Sequence, residues 1–78
     1  MLRLFAAARE AAGTGRDSID GATVSEVLEA AVDRYGETFA AVLATARVWR
    51  NGEPAEADDP VAADDEVAVL PPVSGGSS

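Results

Sequence analysis

The sequence predicts an α+β fold, a mixed sheet of four or five strands packed on one main helix. Three observations point there. The segment from Thr23 to Gly36 carries a helix start signal, an apolar stripe and a helix stop signal. Short apolar runs on either side of it are bounded by glycine, proline or an Asn-Gly pair, as strands are. The chain has 78 residues, which allows one core and leaves too few apolar residues for a second layer of helices.

At the amino end, residues 1–6 form a compact run in which Leu2, Leu4 and Phe5 suit a strand buried on at least one face. Gly13 and Gly15 mark a turn, and residues 16–20 around Ile19 read as the second strand of an amino-terminal hairpin. Thr23-Val24-Ser25-Glu26 is a capping box. In it the Thr23 hydroxyl accepts the Glu26 amide, and the Glu26 carboxylate reaches back to the Thr23 amide. Val24, Val27, Leu28, Ala31 and Tyr35 then share one helical stripe, opposite Glu26, Glu29 and Asp33. Gly36 supplies a left-handed residue to end the helix.

Residues 37–46 fit either a second short helix or a packed loop, with Phe39, Val42 and Leu43 as the apolar contacts. The alanines favour helix weakly. Arg47 to Arg50 alternates as a strand does, and Asn51-Gly52 closes a tight hairpin, since both residues accept positive φ. Pro54 keeps the return strand at an edge or cuts it short. Residues 66–70 are the last strand, and their apolar continuity suits a central place in the sheet. Pro71-Pro72 stop it, so a domain of residues 1–73 is followed by a flexible tail of residues 74–78.

Six basic residues, all arginine, stand against fourteen acidic ones, a net charge of −8, and cysteine, histidine and lysine are absent. Without a thiol there is no disulfide frame, cysteine nucleophile or Cys/His zinc site. Without imidazole there is no Ser-His-Asp triad, and without lysine no Schiff base. No phosphate-binding glycine loop or nucleophile elbow is present either. The expectation is therefore a protein that is not itself an enzyme. The negative charge works against binding nucleic acid or an anionic membrane. Half of the acidic residues lie between Glu53 and Glu66, but without the alternating carboxylates and central glycine of a calcium loop. They read as a solvated loop, not a metal site. The longest apolar run, residues 39–44, is far too short to span a bilayer, and the amino end lacks the features of a secretory signal. The expected location is cytoplasmic.

The carboxyl end is the one chemically unusual feature. Two prolines stiffen the exit from the last strand, and Gly75-Gly76, lacking Cβ atoms, suit a narrow channel. By composition alone SGGSS reads as a flexible tail. Three segments together, however, resemble the small sulfur-carrier subunit of molybdopterin synthase, a ubiquitin-like β-grasp protein. They are LFAAARE at residues 4–10, Asn51-Gly52, and DEVAVLPPVSGG at residues 65–76. The last has the two prolines, two linking residues and Gly-Gly of that family.

The resemblance implies a carrier that binds no cofactor of its own. An E1-like adenylating enzyme uses ATP to activate the carboxylate of Gly76, and a sulfur donor converts it to a thiocarboxylate. The large molybdopterin synthase subunit, in a heterotetramer with the carrier, then directs the sulfur onto a pterin precursor of the molybdenum cofactor. Gly76 would hold the sulfur and Gly75 would let the end thread into the partner's site. Phe5, Pro54 and Leu70 match an apolar contact face of the family, and Pro71, Pro72, Val73 and Ser74 lead from that face to the glycines. Plain core is the other reading of Phe5 and Leu70, and Pro54 departs from the pattern toward an edge-breaking residue.

A carboxylate is a poor electrophile, an acyl-adenylate has a good leaving group, and sulfur carried on the main chain needs no cysteine. Ser77-Ser78 follow Gly76 and place its carboxyl in a peptide bond. A cloning remnant, an extension removed by a processing protease and an uncharged copy are the three readings of those serines. Two other functions share the ending. One is a carrier for thiamin, cysteine or secondary-metabolite synthesis; the other is a ubiquitin-like modifier joined to proteins through Gly76. The plainest alternative is an interaction domain with an inert tail.

Overall fold

β1 (Leu2–Leu4) begins the chain and α1 (Ala6–Ala12) follows it directly, then β2 (Arg16–Asp17) and α2 (Val24–Tyr35). The rest runs α3 (Glu37–Leu43), β3 (Arg47–Arg50), β4 (Glu53–Pro54) and β5 (Val67–Leu70). The computed structural model describes residues 1–72. Val73, Ser74, Gly75 and Gly76, the boundary proposed after residue 73 and the tail beyond it lie outside the described residues.

The strands form one sheet in the order β2-β1-β5-β3-β4. β1 and β5 pair in parallel and every other pairing is antiparallel. β5 is central, as its apolar run predicts. Alternation along the strands sends Leu2, Leu4, Val67 and Val69 to one face, each at most 2% exposed. Ala8 from α1, Val27 and Ala31 from α2 and Phe39 from α3 close over them as a single core. The fold is the α+β, β-grasp arrangement expected, with the helices on one face of the sheet.

Several elements differ from expectation. The first strand ends at Leu4, not Ala6. The Phe5 amide still donates to the Val69 carbonyl at 3.1 Å, but Ala6 then adopts a φ of 52° and redirects the chain into α1. The run AAAREAA is the best of helix formers, and Gly13 caps it at φ 77° with its amide on the Arg9 carbonyl. β1 and β2 therefore pair without a tight hairpin turn, because α1 lies between them. The second strand stops at Asp17, although Ile19 beyond it is buried.

Residues 37–43 are helical rather than a packed loop, and Phe39 is fully buried with its ring 5.2 Å from that of Tyr35, edge to face. The main helix α2 thus has two shorter companions. Gly36 joins α2 to α3 at φ 96°, ψ −167°, a glycine-favoured extended conformation rather than the left-handed helical cap expected. At the start of α2 the Thr23 hydroxyl accepts the Glu26 amide at 3.2 Å, but the Glu26 carboxylate takes the Ala22 amide, not that of Thr23. The amides of Val24 and Ser25 donate to the carbonyls of Asp59 and Ala57, so the acidic loop itself finishes the cap. Asn51 and Gly52, at φ 52° and 84°, make the two-residue hairpin turn expected between β3 and β4.

Candidate docking face and carboxyl-end exit

The face of the sheet away from the helices takes the remaining alternate positions. In register across the strands lie Arg16, Arg3, Ala68, Trp49 and Pro54, a row that spans the whole sheet. One step along, Leu70 stands opposite Arg47, and Phe5 continues the Arg3 side of the first strand. Phe5 and Leu70 are half-buried and stand outside the buried core. The Arg3 guanidinium lies 5.4 Å from the centre of the Phe5 ring and 3.7 Å from the Glu66 carboxylate.

Because β5 is central, its end delivers Pro71-Pro72 to the middle of one sheet edge. Arg47, Trp49, Leu70 and Pro71 line a shallow, mostly apolar concavity beside that exit. A smaller cleft of about 110 Å³ opens among Phe5, Ala7, Val42, Leu70, Pro71 and Pro72, where α1 and α3 approach the end of β5. Phe5, Leu70, Pro71 and Pro72 therefore come together at the chain exit. Pro54 shares their face but sits at the sheet edge, beside Trp49. Val73, Ser74, Gly75 and Gly76 lie outside the described residues.

Trp49 is the residue that reading the sequence missed. At 37% exposed it is, with Met1, one of two large apolar side chains exposed among the described residues. The available signal was its place in Arg-Val-Trp-Arg: if Val48 points inward, Trp49 points outward. Arg47, on the same face, was missed for the same reason.

The acidic loop is tied down by its own carboxylates. Asp65 Oδ2 accepts the Ala62 amide at 2.8 Å and Oδ1 accepts the Asn51 side-chain amide at 2.9 Å, which joins loop to hairpin. The Ala62 amide, followed by Asn51, holds the Asp65 carboxyl below the usual carboxylate range. Asp59 accepts the Glu56 amide at 2.9 Å. Among the described residues no group of three or more acidic side chains is placed to hold a metal ion, and no helix is long and apolar enough to cross a membrane. No polar or charged side chain is buried there either. What the arrangement can do is present an apolar, arginine-bordered surface next to the point where the carboxyl end leaves the sheet.

A sequence model of the ThiS family matches residues 2–76. Small archaeal modifier protein 1 of Haloferax volcanii is 40% identical over 88 aligned positions, covering 95% of this chain and 97% of that protein. The crystal structure of SAMP1 from Haloferax volcanii superposes with a TM-score of 0.77 at 39% identity, covering 96% of each chain. The solution structure of small archaeal modifier protein 1 from Methanosarcina acetivorans gives a TM-score of 0.85 at 29% identity, covering 96% of this chain and 93% of that one. The chain belongs to the ThiS family.

Proposed function

We propose that this protein is a carrier that works through a free carboxylate on Gly76, activated as an acyl-adenylate and converted to a thiocarboxylate. The sulfur then passes, on a large synthase subunit, to a pterin precursor of the molybdenum cofactor. The observation that carries this reading is the sequence Leu70-Pro71-Pro72-Val73-Ser74-Gly75-Gly76 at the end of the central strand of a ThiS-family domain. β5 is held on both sides, by β1 and β3, and two prolines restrict the first residues beyond it. A partner that grips the open face therefore knows where the chain leaves the sheet. From there Gly75 and Gly76 bring no side chain into a confined site.

The carrier needs no catalytic side chains, because the adenylating enzyme supplies the ATP chemistry and the synthase subunit the acceptor. Charging requires a free carboxylate on Gly76, so Ser77-Ser78 must be absent or removed, by a processing protease if they are native. The test is intact-mass analysis of a chain ending at Gly76, incubated with ATP, a sulfur donor and the cognate E1-like enzyme. Exchange of one oxygen for one sulfur at the carboxyl end is the expected outcome. An unchanged mass with a demonstrably active enzyme would refute it.

A second destination for the same activated carbonyl is favoured by one finding, the 40% identity to a protein named small archaeal modifier protein 1. In that reading a lysine of a target protein displaces the activated group and forms an isopeptide bond with Gly76. This chain has no lysine, so it cannot build chains on its own side-chain amines. Gly-Gly remnants on lysines of cellular proteins, present with this gene and lost on its deletion, would establish conjugation. Loss of molybdenum-cofactor enzyme activity on deletion would establish sulfur transfer.

A further inference from the structure

We propose that the helix side of the molecule carries a second docking surface, a groove along α2 that takes a cationic amphipathic helix of a partner protein. Leu28 and Val32 of α2, Leu43 of α3 and Ala57 of the acidic loop line an open concavity of about 470 Å³ together with Glu29 and Asp33. None of its lining residues belongs to a strand or to the chain exit. The surface is therefore separate from the open sheet face and does not depend on the carboxyl end. α2 meets the core through Val27 and Ala31, which are buried. Leu28 and Val32 lie beside that stripe and are only half-buried.

The groove is ordered in rows. Leu28 and Val32 are four residues apart, and Glu29 and Asp33 repeat that spacing one position on. An apolar row and a carboxylate row thus run side by side, with about 6 Å between successive members. Rows at four-residue spacing are the ridges against which another helix packs. Glu29 and Asp33 are exposed and make no ion pair among the described residues; Glu29 accepts from the Ser25 hydroxyl at 3.3 Å. The helix that fits carries one apolar stripe with arginine or lysine four residues apart beside it. This chain cannot offer such a helix to a second copy of itself. It has no lysine, α1 and α2 hold one arginine each, and α3 holds none. The six residues beyond Pro72 include no cationic side chain either. The occupant is a different protein, and it can stay bound while the carboxyl end is engaged elsewhere.

The test titrates the full chain, at physiological salt, with two synthetic peptides of about five helical turns. In one, leucines form a stripe beside arginines four residues apart; the other has the same composition in an order that breaks the stripe. Calorimetry gives the affinity, and amide chemical shifts give the location. The striped peptide is expected to bind about tenfold or more tightly than the other and to shift the amides of Leu28, Val32, Leu43 and Ala57. Glu29→Arg combined with Asp33→Arg is expected to weaken its binding by about tenfold or more. Glu10→Arg combined with Asp64→Arg makes the same change in net charge at exposed positions outside the groove and is expected to weaken it by less than about threefold. Equal melting temperatures confirm that the variants are folded. Equal binding of the two peptides, or equal losses in the two double variants, would overturn the proposal, because net charge would then suffice. Shifts confined to the strands, or no binding of the striped peptide, would overturn it as well. Association of the chain with itself, abolished by Glu29→Arg with Asp33→Arg, would overturn it in favour of a second copy.

Discussion

Asp17, Arg34 and Tyr35 join the edge strand β2 to the carboxyl end of α2. Asp17 accepts from the Tyr35 hydroxyl and, at 2.8 Å, from the Arg34 guanidinium. Tyr35, then Arg34 and the Ser18 amide, hold the Asp17 carboxyl at about 2, below its ordinary 3.8. Burial, then the Asp17 carboxylate, pushes the Tyr35 phenol up to about 12 from 10.0. The signs follow from linkage. The Asp17 contribution to stability is complete above about pH 4 and is lost as pH falls through 2. That of Tyr35 is complete below about pH 10 and is lost as pH rises through 12. Tyr35 is the only tyrosine, so absorbance titration should show phenolate forming near 12, and Asp17→Asn should move it back toward 10. A wild-type midpoint near 10 would contradict the contact. Two backbone positions give opposite expectations at the same scale. Ala6, at φ 52°, occupies a region that costs an L-residue about 1–2 kcal/mol, so Ala6→Gly should raise stability by up to about 1 kcal/mol in urea unfolding. A Cβ on Gly21 would lie 2.7 Å from the Val27 amide nitrogen, and Gly21→Ala should lower stability by about 1–3 kcal/mol.

At the scale of elements, α2 and the β3–β4 hairpin were legible because local chemistry specifies them: a hydroxyl cap and apolar stripe for one, two positive-φ residues for the other. α1 was not. Its alanines offer no contrast between a buried and an exposed side, and of the helix's seven residues only Ala8 is buried, so an apolar strand run flows into it without a visible break. Gly13 is the available stop signal, and in the sequence it reads as part of a turn. α3 was ambiguous because alanine and valine suit a packed loop as well as a helix. Its place was decided by Phe39, which fills the core between α2 and the sheet. Phe39→Ala should therefore cost about 3–5 kcal/mol, enough in a domain of this size for loss of far-ultraviolet helix signal at moderate urea concentrations. Thr23→Ala should cost only about 1 kcal/mol, since the acidic loop still satisfies the amides of Val24 and Ser25. A loss as large as that of Phe39→Ala would show that the cap, and not the core, organises α2.

For the whole molecule, the carboxyl-end motif was legible as sequence, and so was the face that Phe5 and Leu70 share. The opposed arginines were not, because net charge averages over surfaces that the sheet keeps apart: the chain sums to −8 while one face bears three guanidiniums. Trp49 needed the register of two strand pairings before it could be placed beside Leu70 and Pro71. In the proposed reading the reactive group is the main-chain end at Gly76, so a chain without cysteine, histidine or lysine can serve. The most direct test is carrier-dependent exchange of labelled pyrophosphate into ATP by the cognate adenylating enzyme, comparing a chain that ends at Gly76 with one that retains Ser77-Ser78. Exchange only with the chain ending at Gly76 is the predicted result. Equal exchange with both, or none with either in the presence of an active enzyme, would contradict the assignment of Gly76 as the activated residue.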